Sequence, residues 1–487
     1  MGFAMRERAS KSRPTLLDPG GRQPVVGLDL GTCCSRVAIW QDGDVTIIPN
    51  ERGSRCTPTC VAFTKEAVYV GNDAHDRAAE NVGNVIYAPQ RLVGGSRDNP
   101  WVMWYARTWP SRVDFNDDDQ PLIKVDSIDM DKWMLPEEIL TLFLVHLRRC
   151  AEEYLDMTVT DVVVTVPSKY GRCQREGILE ACVAARLNVL DFVKAPTASA
   201  LAYNLTNQQP MRKNMLVCNM GGTYFDFALI CVENGHIKER AVGTDFVDLD
   251  TVLARFCMRD LWEKYSVSID DNPAARYQLR AACEQAKIKL SQHQQACISV
   301  SGLTEGVDYT CHISRPHFEA ICLDEIQSVL EPIAYVLSEL DLPKESIDDI
   351  VLVGGLARLP LLRRHVKDFF LGKAPREVLR PDHAAVLGAA VYAAMCGAGM
   401  QSGARKHAPE KLRHLKLTQV NSWEARGEES DSSSSHGRHD VGEETSSVDS
   451  MSEAIPDPSH FRDIPRNMEG PSPRQMTQLE DTNGCQL

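Results

Sequence analysis

Residues 27–32 (GLDLGT) and 219–226 (NMGGTYFD) are the two stretches that decide how this chain folds. Each lies between two apolar runs, so each predicts a strand, a tight glycine turn and a second strand. Glycine turns let backbone N–H groups approach phosphate oxygens with no side chain in the way. Two such hairpins in one chain indicate a duplicated fold that holds a nucleotide between its halves.

Patterns typical of buried strands and of helices alternate around the two hairpins. Residues 161–167 (DVVVTVP) and 349–355 (DIVLVGG) are short apolar runs, whereas 137–154 and 384–397 have helical spacing. This alternation predicts an α/β fold in which order begins at Val25. Further helices are predicted at 174–187, 251–265, 274–292 and 315–340, and from near Pro360.

Charge and composition limit the classes of partner. The chain has 487 residues and a net charge of −14, of which residues 421–487 supply −9 through 14 acidic and 5 basic side chains. The remaining body is only mildly acidic, which argues against nucleic acid as a partner. No apolar run approaches the ~18 residues of a membrane span, and the first 24 residues lack the apolar core of a secretory signal. We therefore expect no membrane partner and a cytoplasmic protein, with the nucleus as the alternative.

The two ends of the chain differ in composition from its body. Residues 1–24 are predicted to be a flexible basic leader, and residues 399–487 a disordered acidic, serine-rich tail that cannot bury enough apolar surface to fold. Residues 404–419 are basic and predict at most a marginal helix. Serines at 432–435 and 446–447 would suit an acid-directed kinase, and a plain solvated tail is the alternative.

The 16 cysteines show no CxxC pair and no regular spacing. This pattern favours buried free thiols over a disulfide framework or a zinc site.

Eight motifs occur in an order and spacing that resemble the ATPase domain of the 70-kDa heat-shock chaperone family. The resemblance covers residues 25–397 and implies an actin-like (ribonuclease H-like) two-lobed α/β domain, followed by the tail. Lobe I would comprise about 25–208 and 378–398, and lobe II about 209–377. The family's substrate-binding domain and acidic-leucine linker have no counterpart after residue 397. The motifs are the two glycine hairpins and residues 50–63, 91–94, 161–167, 195–203, 279–290 and 350–360.

Four positions carry ATP hydrolysis in that family, and three of them are altered here. Asp29 matches the aspartate that holds the metal's water shell, but Gln90 stands at the lysine, Ala195 at the glutamate and Asn219 at the second aspartate. Removing one such electrostatic group costs about 3–4 kcal/mol of barrier. The resemblance therefore implies little hydrolysis, weak metal-independent binding of ATP or ADP, and at most weak, water-mediated Mg²⁺ binding by Asp29.

The binding positions are better kept than the catalytic ones. In the phosphate loops Gly31, Thr32, Gly221 and Gly222 match, although Thr223 replaces a third glycine. At the nucleoside end the matching residues are Glu284, Lys287 and Ser291, which share one helix face, and Gly354, Gly355, Arg358 and Asp382. A solvated helix face is the alternative explanation of Glu284 and Lys287.

Of the positions that relay nucleotide state in that family, some match here and one is reversed in charge. Pro167 and Arg175 match the family's proline switch, whereas Asp191 stands where the family has an arginine that faces J-domain partners. This charge reversal argues against ordinary J-domain stimulation. We expect a degenerate nucleotide-binding domain with a regulatory or scaffold role in protein folding, and partners such as nucleotide-exchange factors. The alternatives are a working ATP-dependent chaperone and an interaction protein that binds no nucleotide.

Overall fold

The computed structural model describes residues 24–78, 81–126, 131–207, 212–304, 306–376, 378, 380–399 and 410–419. The predicted leader, apart from its last residue, and the acidic stretch from residue 420 lie outside these residues. The strands are β1 (Val25–Asp29), β2 (Cys34–Gln41), β3 (Asp44–Ile48), β4 (Thr57–Pro58), β5 (Cys60–Phe63), β6 (Val68–Val70), β7 (Val85–Tyr87), β8 (Val113–Phe115), β9 (Pro121–Asp126), β10 (Asp131–Met134), β11 (Asp161–Val166), β12 (Asn188–Lys194), β13 (Lys213–Met220), β14 (Tyr224–Glu233), β15 (His236–Phe246), β16 (Gln295–Thr304), β17 (Val307–Ser314), β18 (Asp349–Val353) and β19 (Lys416–Thr418). The helices are α1 (Asn72–Asp76), α2 (Pro100–Thr108), α3 (Pro136–Leu155), α4 (Arg172–Ala184), α5 (Ala195–Thr206), α6 (Leu249–Tyr265), α7 (Pro273–Gln292), α8 (Arg315–Ile321), α9 (Leu323–Ser328), α10 (Glu331–Glu339), α11 (Pro360–Phe369) and α12 (Ala384–Gly397).

Two central sheets repeat the same plan. The first has the order β12-β11-β1-β2-β3, with β4 paired to β2, and the second has the order β18-β13-β14-β15-β19. In each sheet a glycine hairpin, β1–β2 or β13–β14, opens an antiparallel run of three strands, and a later strand runs parallel to the first strand of the hairpin. The duplication and both hairpins predicted from the sequence are therefore confirmed.

Helices α5 and α12 lie between the two central sheets and share one apolar core with them. Glycines permit their close approach: a Cβ at Gly388 of α12 would overlap the backbone of Ala198 in α5, and one at Gly27 of β1 would overlap Ala390. This contact fixes the distance between the sheets, and so between the two glycine turns. None of the described helices is long and apolar enough to cross a membrane.

The structure corrects the sequence predictions for residues 315–340 and for the cysteines. The helix expected over 315–340 is three short helices, α8 to α10, and Pro332 lies in the first turn of the last one, where its missing N–H is tolerated. The cysteines are not all free thiols, because Cys34 and Cys56 form a disulfide. Pairing of β4 with the start of β2 brings their Cα atoms to 5.9 Å. The compartment expected from the sequence stays a prediction.

The fold continues past the predicted boundary at residue 398. Residues 410–419, here called the C-terminal strap, form one short 3-10 turn at Glu410–Leu412 and then β19, which pairs in parallel with β15. Alternation explains this strand, since Leu415 and Leu417 point inward and are buried, with Leu412 buried before them. Gln419 also exchanges hydrogen bonds with the backbone of β12, from Lys194 N (3.3 Å) and to Phe192 O (3.0 Å). The strap therefore joins both central sheets.

We expect Leu415→Ala in the C-terminal strap to lower the free energy of unfolding by about 2–4 kcal/mol, because a fully buried leucine leaves a cavity. Urea unfolding of the full chain measures this. Leu371→Ala is the matched control, since Leu371 is 67% exposed and should change stability by at most about 0.5 kcal/mol. Equal effects of the two substitutions would show that the strap contributes nothing to the fold.

Candidate nucleotide site

The two glycine turns lie against each other. The Thr32 and Thr223 hydroxyls share a hydrogen bond of 3.1 Å, and the Cys33 side chain leaves no room for a Cβ at Gly222. None of Gly221, Gly222 and Thr223 has a positive φ, so the turn adopts a conformation that the Thr223 side chain tolerates. The site that the sequence predicts between the hairpins is thus bridged by the chain's own side chains.

Asp29, the carboxylate expected to hold a metal, is already engaged. It accepts a hydrogen bond of 2.8 Å from the Thr165 hydroxyl, and an Arg36 nitrogen lies 3.9 Å from its second oxygen. The other terminal nitrogen of Arg36 lies 3.6 Å from Asp382. Burial raises the pKa of Asp29, and Arg36 and Thr165 offset this only in part. A guanidinium therefore stands beside the one retained metal carboxylate.

The three altered catalytic positions have roles of their own. Gln90 is 2% exposed and donates a hydrogen bond of 2.8 Å to the Gly31 carbonyl, which ties it to the first turn. Ala195 is buried at the first position of α5. Lys194, beside it, forms a buried ion pair of 2.7 Å with Glu239, so its charge is occupied away from the phosphate turns. Asn219 pairs with Val353 at the parallel edge of β13 and is half-buried.

Arg91 is a cation that the sequence reasoning did not assign to the site. Its guanidinium donates a hydrogen bond to the Thr223 hydroxyl and stacks over the Tyr105 ring, with 4.8 Å between the guanidinium carbon and the ring centroid. Arg91 is the first residue of the motif at 91–94, and its basic side chain next to the altered lysine position was the signal in the sequence. The second turn therefore carries one positive charge.

Helix α7 carries residues that match the family's nucleoside positions, and its basic side chains form ion pairs within the protein. Lys287 is buried and forms an ion pair of 2.7 Å with Asp250, and Arg280 lies 3.2 Å from Asp248. The solvated face considered for Lys287 is therefore wrong. Glu284 is half-buried. Desolvation raises the pKa of Cys33, and the negative charge of Glu284 raises it further, so Glu284 acts electrostatically on the first turn.

Ser291 lies at the end of α7 and bonds within its own helix. Its hydroxyl donates to Ile288 O at 2.7 Å. Ile288 itself is 52% exposed. Glu284 and Lys287 thus act electrostatically on Cys33 of the first turn, whereas the contact described for Ser291 is this bond within its own helix.

The turn after β18 supplies the remaining predicted nucleoside residues. Gly354 has φ 86° and packs against the backbone of Met220, so a side chain there would be both strained and blocked. A Cβ at Gly355 would meet open space. Arg358 forms an ion pair with Asp382, which links this turn through Arg36 to Asp29. Arg358 and Asp382 are thus in contact, and the nucleoside-binding role of the four residues stays a prediction.

Aromatic contacts join the two halves beside the site. Tyr87 of β7 stacks on Tyr277 of α7, with 5.1 Å between ring centroids. Phe246, at the end of β15, contacts Trp101 and Trp104 of α2 at centroid distances of 5.0 and 5.1 Å. Stacked and edge-to-face rings add to burial of apolar area. These pairs join β7 and α2 of the first half to α7 and β15 of the second half.

Asp226 is a buried acid whose importance the sequence reasoning missed. One of its carboxylate oxygens accepts hydrogen bonds from Ser168 N (3.0 Å) and the Thr244 hydroxyl (2.5 Å), which join three segments behind the second turn. Burial raises the pKa of Asp226 to about 6. The acidic side chain at the end of the second glycine motif, followed by the apolar residues of β14, was the signal that could have found it.

The predicted proline switch occupies neighbouring segments. Pro167 follows β11, and Arg175 on α4 donates a hydrogen bond of 3.0 Å to Tyr170 O. Asp191 of β12 accepts a hydrogen bond of 2.5 Å from the Tyr392 hydroxyl. The charge-reversed position is therefore tied to α12.

Comparison with known proteins decides the family. The family model described as Hsp70 protein matches residues 25–412. The chain belongs to the Hsp70 family. The two-sheet architecture described above is accordingly the actin-like fold of an Hsp70 nucleotide-binding domain, and the identification made from the eight motifs is confirmed.

Similar curated proteins carry heat-shock names. Heat shock 70 kDa protein 2 of Paracoccidioides lutzii is 36% identical over 376 residues, which are 76% of this chain and 57% of that protein. Heat shock cognate 70 kDa protein 3 of Dictyostelium discoideum is 35% identical over 377 residues, 76% of this chain and 60% of that protein. The chain spans about three fifths of the length of these Hsp70 relatives.

Asp226 predicts a specific dependence of stability on pH. The folded state keeps the Asp226 proton up to about pH 6, whereas an unfolded aspartate loses it near pH 4. Because the folded state binds more protons between these values, the free energy of unfolding should fall as pH rises through them, by about 2–3 kcal/mol in total.

The pH effect is isolated by Asp226→Asn, whose amide oxygen can accept the same two hydrogen bonds but does not titrate. We expect the fall in the free energy of unfolding between pH 4 and pH 7, measured by urea unfolding, to be smaller in Asp226→Asn than in wild type by about 2–3 kcal/mol. The exposed Asp42→Asn variant is the control. Identical pH profiles of wild type and Asp226→Asn would contradict the assignment.

Proposed function

We propose that this Hsp70-family nucleotide-binding domain binds adenine nucleotide weakly, without a requirement for magnesium, and hydrolyses ATP little or not at all. It would act as a regulatory or scaffold protein of the chaperone network. The observation that carries the proposal is the position of Arg36 between Asp29 and Asp382. A fixed guanidinium compensates the Asp29 carboxylate, which removes the electrostatic reason for a divalent cation to bind there.

The residues present do not fit magnesium-assisted hydrolysis. A metal-phosphate site needs carboxylates that hold the metal, and a cation for the γ-phosphate. Asp29 faces Arg36, Asn219 has no charge, and Gln90 donates to Gly31 instead of to a ligand. Arg91 could attract phosphate as a second-turn cation, but it cannot activate water. We therefore derive no hydrolytic step for this site.

Residual binding is supported at the nucleoside end. Gly355 borders open space, and the charge of Glu284 acts on Cys33 of the first turn. The Thr32–Thr223 hydrogen bond must open before phosphates can enter between the turns, and this requirement weakens the affinity. The same hydrogen bond favours a second candidate, an interaction protein whose site stays empty.

Partners are proposed from family membership and from charge. Nucleotide-exchange factors are the partner class expected of an Hsp70 nucleotide-binding domain. Asp191 is negative where J-domain partners meet an arginine, which argues against ordinary J-domain stimulation. We also propose a cytoplasmic or nuclear location, and we expect no membrane or nucleic-acid partner.

Isothermal titration of the full chain with ADP and ATP, with and without magnesium, tests the proposal. We expect weak binding whose dissociation constant changes by less than about threefold on adding magnesium, and no phosphate release above a protein-free blank. Magnesium-dependent tightening of about tenfold or more, or steady turnover, would refute it. No heat of binding, backed by no shift in melting temperature with nucleotide, would instead support the empty-site candidate.

Restoring the lost groups tests the role of Arg36 directly. In a Gln90→Lys, Ala195→Glu, Asn219→Asp background we expect little magnesium dependence, because Arg36 still faces Asp29. Adding Arg36→Ala should then make nucleotide binding at least about tenfold tighter with magnesium. Arg52→Ala in the same background is the control, since Arg52 pairs with exposed Asp73 and Asp76. Full magnesium dependence before Arg36 is removed would contradict this role.

A further inference from the structure

Three side chains with metal-binding atoms meet outside the nucleotide site. Glu51 lies just after β3, and His146 and Cys150 lie four residues apart on α3. Residues at this spacing share one face of a helix. The Glu51 carboxylate, the His146 imidazole and the Cys150 thiol place their ligand atoms within 4.8 Å of one another. None of them contributes to the proposed nucleotide chemistry.

The distances between these atoms match one face of a zinc tetrahedron. Glu51 Oε2 lies 3.2 Å from His146 Nε2, and Cys150 Sγ lies 3.5 Å from Glu51 Oε2 and 3.7 Å from His146 Nε2. Zinc bonds of about 2.3 Å to sulfur and about 2.0–2.1 Å to nitrogen or oxygen place tetrahedral ligands about 3.3–3.6 Å apart. The three atoms are therefore already spaced for a shared ion.

The surroundings of the cluster favour a bound ion. Asn72 donates a hydrogen bond of 3.3 Å to Glu51 Oε1, which orients the carboxylate and leaves Oε2 facing the other two ligands. The His146 and Glu51 side chains are 22% and 32% exposed. This opening gives an ion a path of entry and a place for water as the fourth ligand.

A cysteine-nucleophile triad is the other chemistry that these residue types could perform. Such a nucleophile must be reached by its substrate. Cys150 is only 8% exposed and donates to Glu51 rather than lying free at the surface. Burial and Glu51 raise the pKa of Cys150 to about 12, so the metal-free thiol is protonated and a poor nucleophile. The burial argues against catalysis and is compatible with a metal ligand.

We propose that Glu51, His146 and Cys150 bind one Zn²⁺, with water as the fourth ligand. Binding displaces the thiol proton to solvent and leaves a zinc-bound thiolate. The ion would fasten the segment after β3 to α3. The same segment ends at Cys56, whose disulfide to Cys34 joins it to the first phosphate turn. Zinc and the disulfide would thus hold the two ends of one loop.

Metal titration of the purified full chain, stripped with a chelator, tests this site. We expect one zinc ion to bind, and Cys150→Ser, His146→Gln and Glu51→Gln each to weaken its affinity at least about 100-fold, since even outer-shell partners cost 10–100-fold. Cys297→Ser, at an exposed free cysteine elsewhere, is the control and should bind as wild type does.

Cobalt substitution tests whether the Cys150 thiolate is a metal ligand, and its readout does not depend on the stability of the protein. The Co²⁺-loaded chain and the Cys297→Ser control should show a thiolate-to-cobalt charge-transfer band, which Cys150→Ser should lack. Melting in excess chelator checks that each variant folds. If Cys150→Ser does not fold, the isosteric Glu51→Gln variant, which keeps the Asn72 contact, tests the site through its zinc affinity. Absence of the band in wild type, or a zinc affinity in the three site variants equal to that of wild type, would overturn the proposal.

Discussion

The close crossing of α5 and α12 is the constraint on which the rest of the molecule depends. Gly388 lets the two helices approach at Ala198, and Gly27 lets β1 approach α12. Both helices are buried between the central sheets, so their separation sets how far apart the two glycine hairpins stand. That distance is short enough for Thr32 and Thr223 to share a hydrogen bond. The architecture of a nucleotide site is therefore retained by packing, independently of the charges in it.

Those charges are balanced within the protein. Arg36 faces Asp29 and Asp382, and Lys287 faces Asp250. Partly buried ions without partners are costly, so a chain that loses catalytic groups must pair the ones that stay. The pairing has a functional consequence, because a ligand must now compete with an internal partner for each group. A site can in this way keep its shape while its affinity for metal and phosphate declines.

Much of this could be predicted from the sequence, because hairpin motifs and strand–helix alternation are local signals. GLDLGT and NMGGTYFD predict the turns, and the motif order predicts the family. Local signals do not reveal partners distant in sequence: the Arg36–Asp382 pair spans 346 positions, and no pattern near Cys34 or Cys56 predicts their disulfide. The strand Lys416–Thr418 was missed because three alternating residues in a basic segment need the edge of β15 to become a strand.

A crystal of the full chain grown with ADP and Mn²⁺ tests most directly whether Arg36 replaces the metal. Anomalous scattering locates manganese without ambiguity. The account predicts no manganese peak beside Asp29, with the Arg36 guanidinium still between Asp29 and Asp382. A fully coordinated manganese ion at Asp29, with Arg36 displaced and the ion bridging to the nucleotide phosphates, would contradict it.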